Sequence, residues 1–197
     1  MRAEIAFRQR NGKPSTMTIN LNEIPESIRC EDESFLAECD DRIAELVALW
    51  RSRLNGDDLP ERRAIEPHDI VQLLPDIMLV DVVYPGPEFS YRLVGTREVE
   101  FRGYDPTGRS VRDAFAGFDG NFCDGNYRSV VERRGPVYIV EYAPTKLGAV
   151  ARRETVFLPF ASDGATVDIV MVYSVTDLSL GDTFVPQAEL LKMASGD

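Results

Sequence analysis

Residues 73–96 read LLPDIMLVDVVYPGPEFSYRLVGT, and within them two β-branched and aromatic runs, IMLVDVVY (77–84) and FSYRLV (89–94), are separated only by Pro85, Gly86 and Pro87 apart from Glu88. Runs of that composition joined by so short a turn predict an antiparallel pair of strands. Towards the C-terminus the pattern becomes helical, with short pieces expected at 96–101 and 111–115 and a longer helix at 122–133 that Gly135-Pro136 ends. Three further strands are expected at 136–145, 153–161 and 166–177, the last two joined by the compact turn Ser162-Asp163-Gly164-Ala165. The segments 77–83 and 169–173 are nearly continuously apolar, which implies a sheet covered on both faces.

Towards the N-terminus, Pro67 opens a short helix that runs to Leu74 and stops at Pro75. Before it, Leu36, Ile43, Leu46, Val47, Trp50 and Leu54 recur at helical spacing between a candidate cap at Ser34 and the stop signal Asn55-Gly56. A helix over 35–54 with that stripe must cover either its own sheet or the same helix in a second copy. Ile43, Leu46, Val47, Trp50 and Leu54 are accordingly the candidate dimer contact. Residues 1–33 lack a sustained period and read as a flexible leader with a short candidate strand at 16–21. The expected organisation is a leader (1–33), an amphipathic helix (34–56), one α+β domain (57–178) and a tail (179–197).

Composition limits the function classes. A chain of 197 residues with 44% hydrophobic content can bury one core. Its formal net charge of −11 opposes attraction to nucleic acid or anionic lipid. Arg2, Glu4, Arg8 and Arg10 interrupt any apolar signal-peptide run, so a cytoplasmic protein without membrane insertion is expected. Cys30, Cys39 and Cys123 are odd in number and scattered, and read as reduced thiols.

Little in the chain suggests catalysis. His68 is the only histidine, which removes Ser-His-Asp, Cys-His and multi-histidine metal arrangements. Cys123 lacks the basic neighbours that would activate it. Gly95, Gly103 and Gly108 have neither GxGxxG spacing nor a Gly-Lys-Ser/Thr ending and read as turn residues. Arg109 follows the last of these turns, where it could meet an anionic ligand or a surface carboxylate. No metal and no catalytic residue is assigned.

Several phrases carry a resemblance: VALWRSRLNG (47–56), LLPDIMLVDV (73–82), FSYRLVGT (89–96), GYDPTGRS (103–110) and LPFASDGATVDIVMV (158–172). YRLVGT followed by GxDxTGR resembles a family of short, stand-alone bacterial PAS domains. That resemblance implies a five-stranded antiparallel sheet with helices over its concave face, and ligands held between the two. The residues it places there are Tyr91, Phe101, Tyr104, Phe115, Phe122, Tyr127, Tyr142, Met171 and Tyr173. Aromatic and methionine side chains suit either a small-molecule pocket or a filled core. Arg92 is expected on the strand face opposite Tyr91, paired with Glu141 or Asp168. Haem and covalent flavin are disfavoured, because the segment 122–133 has no histidine and 108–111 has no cysteine. The expected function is a non-catalytic sensory module that binds a partner signalling protein and a small metabolite as a homodimer. The alternatives are a small hydrolase or isomerase, or a ligand-free dimeric adaptor.

Overall fold

The apolar runs of the C-terminal half become the middle of a sheet. The computed structural model describes residues 2–8, 14–20, 26–56, 58–114, 120–145, 150–178, 182, 183 and 185. In chain order the elements are β1 (Arg2–Arg8), β2 (Pro14–Asn20), β3 (Ile28–Cys30), α1 (Asp41–Arg51), β4 (Ile77–Val83), β5 (Glu88–Val94), α2 (Thr96–Arg102), α3 (Val111–Ala114), α4 (Gly120–Arg133), β6 (Val137–Pro144), β7 (Val150–Phe160) and β8 (Ile169–Thr176). β1 and β2 pair with each other as a separate antiparallel hairpin. The main sheet is antiparallel throughout in the order β3-β6-β7-β8-β4-β5.

The sheet therefore has six strands where five were expected. The extra strand, β3, comes from the stretch read as a flexible leader: Ile28, Arg29 and Cys30 pair with Val140, Ile139 and Tyr138 at the sheet edge. Three residues with one charge among them give no period to read. β2 overlaps the short strand expected at 16–21.

Side chains alternate across a strand and register partners share a face, so the sheet has two distinct sides. On one side lie Val137, Phe157 and Val172, facing α4 and α2; Tyr127 of α4 meets Phe157 edge-on at 5.2 Å between ring centroids. On the other lie Tyr138, Val156 and Tyr173, facing α1 and the turn before it, where Phe35 stacks on Tyr138 at 4.7 Å. Every residue of β8 but the last is buried, as are the final eight of β7.

The helix expected over 35–54 is two pieces. A 3-10 turn, Glu33–Ala37, is capped by Asp32, and α1 is capped by Asp40, whose carboxylate accepts from the Arg42 amide at 2.9 Å. The Asp40 amide donates across to Glu154 Oε2 on β7 at 2.9 Å, which takes it out of any helical ladder. Caps of this kind set where a helix starts, so Ser34 is not the cap.

The apolar stripe of α1 is used within the chain. Ile43, Leu46, Val47 and Trp50 are at most 3% exposed, and Trp50 Nε1 donates to the Pro159 carbonyl at 2.8 Å. Only Leu54, past the helix end and 36% exposed, remains at the surface of the candidate dimer contact. Of the two roles open to the stripe, it fills the first and covers its own sheet, so these four side chains are not a free surface for a second copy. The expected helix from Pro67 resolves into the 3-10 turns Pro67–Ile70 and Leu74–Asp76.

Trp50→Ala is expected to lower unfolding free energy by about 3–5 kcal/mol, the usual cost of emptying a packed aromatic site. Leu54→Ala should stay within about 0.5 kcal/mol of wild type, as exposed substitutions do. Chemical denaturation monitored by circular dichroism measures both; a small effect at Trp50 would mean that α1 does not seal this face.

Candidate functional site

The site begins at Gly95. A Cβ there would lie 2.3 Å from the Pro75 carbonyl oxygen, so only glycine lets the chain pass this close. The Gly95 amide also donates to the Ile77 carbonyl at 2.8 Å, which fixes the start of α2 against the start of β4. Gly103, at φ 78°, ends the helix in the left-handed region.

Between these glycines α2 turns two charged residues inward. Glu98 and Arg102 are four apart, hence on one helix face, and are 1% and 3% exposed. Glu98 Oε1 accepts from Arg153 Nη2 of β7 at 2.5 Å. The Arg153 guanidinium also sits 4.2 Å from the Phe101 ring centroid and 3.9 Å from Glu141 Oε2 on β6. Desolvation pushes the Glu141 carboxyl above its ordinary range, against the pull of Arg153 and Arg102.

Arg102 lies over the Tyr91 ring at 5.0 Å, with Nη2 3.5 Å from Met78 Sδ. Tyr91 is 1% exposed, and its hydroxyl, beside the Tyr127 phenol, finds no partner in good hydrogen-bond geometry among the described residues. The neighbouring Tyr127 is 3% exposed and packs on Phe89 and Phe157, each at 5.2 Å between ring centroids. Burial pushes the Tyr91 phenol up to about 12, partly offset by Arg102, and holds the Tyr127 phenol well above its ordinary value. Two neutral phenols beside a buried arginine can bind a polar ligand by hydrogen bonds; neither is a base at neutral pH.

The aromatic set divides between the two sides of the sheet. Tyr91 and Tyr127 come together on the α2–α4 side, and Phe101 lies against Arg153. Tyr104 sits on the loop after α2, its hydroxyl on the Ala114 carbonyl at 2.5 Å and its ring under Arg109. Tyr142, Met171 and Tyr173 pair in register with Arg152, Leu158 and Val156, which puts them on the α1 side, away from the site. Phe115 and the side chain of Phe122 lie outside the described residues. Arg92 pairs with Asp81 at 2.6 Å rather than with Glu141 or Asp168. The Glu98, Arg102, Glu141 and Arg153 group went unassigned from sequence. Its only trace there is the pair Arg152-Arg153 within a strand, and the four-residue spacing on α2.

Among the described residues no group of three or more metal-ligating side chains forms. His68 is on the surface, its side chain 80% exposed and 3.3 Å from Asp69. No described helix is long and apolar enough to cross a membrane.

A phenol with a raised folded pKa keeps its proton after the unfolded chain has lost its own near pH 10. Its contribution to stability is therefore complete below pH 10 and falls as pH rises towards 12. Unfolding free energies measured from pH 9 to 12 should fall by about 2 kcal/mol more in wild type than in Tyr91→Phe. Parallel curves would place Tyr91 in contact with solvent.

The profile of a PAS domain family matches residues 40–173, more than half of the chain. Among solved structures, an RNA-binding light-oxygen-voltage receptor is 16% identical with a TM-score of 0.40, covering 68% of this chain and 36% of that one. A LOV protein of Rhodobacter sphaeroides is 12% identical with a TM-score of 0.40, covering 73% and 71%. A light-oxygen-voltage domain whose mechanism was studied with a flavin analogue is 12% identical with a TM-score of 0.41, covering 66% and 93%. The chain thus spans about a third of the length of the first of these. No curated protein matches it. Its six-stranded antiparallel sheet, with helices on both sides and a family match from α1 to β8, makes this chain a member of the PAS domain family.

Proposed function

We propose that this PAS domain is a non-catalytic sensory module that holds a small metabolite between α2, α4 and the sheet and passes its presence to a partner protein. The observation that carries this reading is the buried Tyr91 hydroxyl, which finds no partner in good hydrogen-bond geometry among the described residues and has the Tyr127 phenol and Arg102 beside it. A buried polar atom left unsatisfied costs about 1–3 kcal/mol, which a ligand's acceptor or donor recovers. The net charge of −11 supports a protein or small-molecule partner over a nucleic acid. A second copy of the chain would have to dock elsewhere than on α1, whose apolar stripe is already covered. The occupant in this reading is not haem, since His68 is remote from the interior, nor a covalently held flavin, since 108–111 carries no cysteine.

A small enzyme of hydrolase or isomerase type has one observation in its favour, the raised Glu141 carboxyl on the same side of the sheet. Arg153 serves both Glu141 and Glu98, and carboxylates held in place by a shared arginine suit structure better than proton transfer.

Native mass spectrometry of the protein purified from the cells that produce it tests the sensory reading. The expected result is one small molecule retained per folded chain and released on denaturation, with retention reduced in Tyr91→Phe. The bare chain mass in both folded and denatured samples would contradict it.

A further inference from the structure

α2 also borders a cleft. A cavity of about 430 Å³ opens between α2, the turn Leu74–Asp76 and the end of β8, with Glu98 on its wall. Three arginines reach it and each is engaged. Arg42 donates to both oxygens of Asp40 at 2.8 and 2.9 Å, Arg97 to Asp76 at 2.5 Å, and Arg153 to Glu98 Oε1. One buried carboxylate oxygen on its wall still lacks a donor. Glu98 Oε2 belongs to a side chain 1% exposed and accepts no hydrogen bond among the described residues. Glu100, also on the cleft, is exposed and forms no ion pair among the described residues. Phe101, Val175 and Leu178 add apolar wall.

A buried carboxylate oxygen is satisfied best by a charged N–H donor, whose hydrogen bonds are roughly twice as strong as neutral ones. We propose that this cleft binds a small organic cation, a guanidinium or primary ammonium on a short methylene chain, with an N–H donated to Glu98 Oε2 and positive charge facing Glu100. The cleft shares α2 and Arg153 with the buried charged group but is lined by none of the phenols of the Tyr91 interior. An anion held by the remaining N–H groups of Arg42 and Arg97 is the competing outcome, which glutarate reads.

Agmatine, which carries a guanidinium and an ammonium on four methylenes, is the probe. Calorimetric titration of the full chain at low salt should give saturable binding with Kd of about 1 mM or tighter. Glu98→Gln, which puts an amide donor where the ligand donates, should weaken it by about 10-fold or more. Glu100→Gln, an exposed change that leaves folding intact, should weaken it about 2-fold to 3-fold. Glutarate, an anion of similar length, should give no saturable signal. Circular dichroism checks that Glu98→Gln is folded; if it is not, the Glu100→Gln and glutarate results decide. Absence of saturation by about 10 mM agmatine, unchanged affinity in both variants, or preference for glutarate would each overturn the proposal.

Discussion

The whole structure depends on β7 and β8 being buried on both faces at once. Such strands cannot rest on a single helical layer, so the chain must supply cover from two directions. α1 and the turn before it come from the N-terminal side of the sequence, and α2 and α4 from the insertion between β5 and β6. The two layers differ in chemistry. The α1 side is apolar packing with a few polar locks, among them Glu154, which takes the Asp40 amide and the Tyr138 hydroxyl. The α2–α4 side contains buried charge and two phenols.

Buried charge of that kind is seldom kept for stability. Desolvating Glu98 and Arg153 offsets most of what their attraction returns, and an apolar pair of similar volume would often serve as well. Removing one partner alone is far more costly. The pair is therefore better understood as a register device, which lets α2 lie on β7 in one position while Gly95 fixes where the helix begins. Once α2 is set, Arg102 is carried over Tyr91 and Glu98 reaches the cleft. One short helix thus borders both proposed sites, and a shift in it is felt at each.

Much of this was legible in the sequence, and the exceptions have a common cause. Strands β4 to β8 announce themselves by β-branched and aromatic runs bounded by Gly and Pro. α1 declares its apolar stripe, and its end at Asn55-Gly56 was approached within a few residues. The break at Asp40 could not be read, because the Glu154 carboxylate that captures its amide lies 114 residues away. The identity of the sheet side could not be read either: Tyr142, Met171 and Tyr173 have the composition of a pocket, but a period of two sends them to the other side once register is known. The charged group was missed for the opposite reason, since Glu and Arg are ordinarily surface residues. Only the Arg152-Arg153 pair within a strand and the four-residue spacing of Glu98 and Arg102 hinted otherwise.

In the proposed function the α2–α4 side responds to the ligand and the α1 side is a fixed support. Hydrogen exchange compared between protein purified from the cells that produce it and the same protein unfolded, dialysed and refolded tests that division most directly. The account predicts slower exchange in the undenatured sample at Thr96–Arg102 and Gly120–Arg133, with Asp41–Arg51 unchanged. A difference confined to Asp41–Arg51, or spread evenly over the sheet, would contradict it.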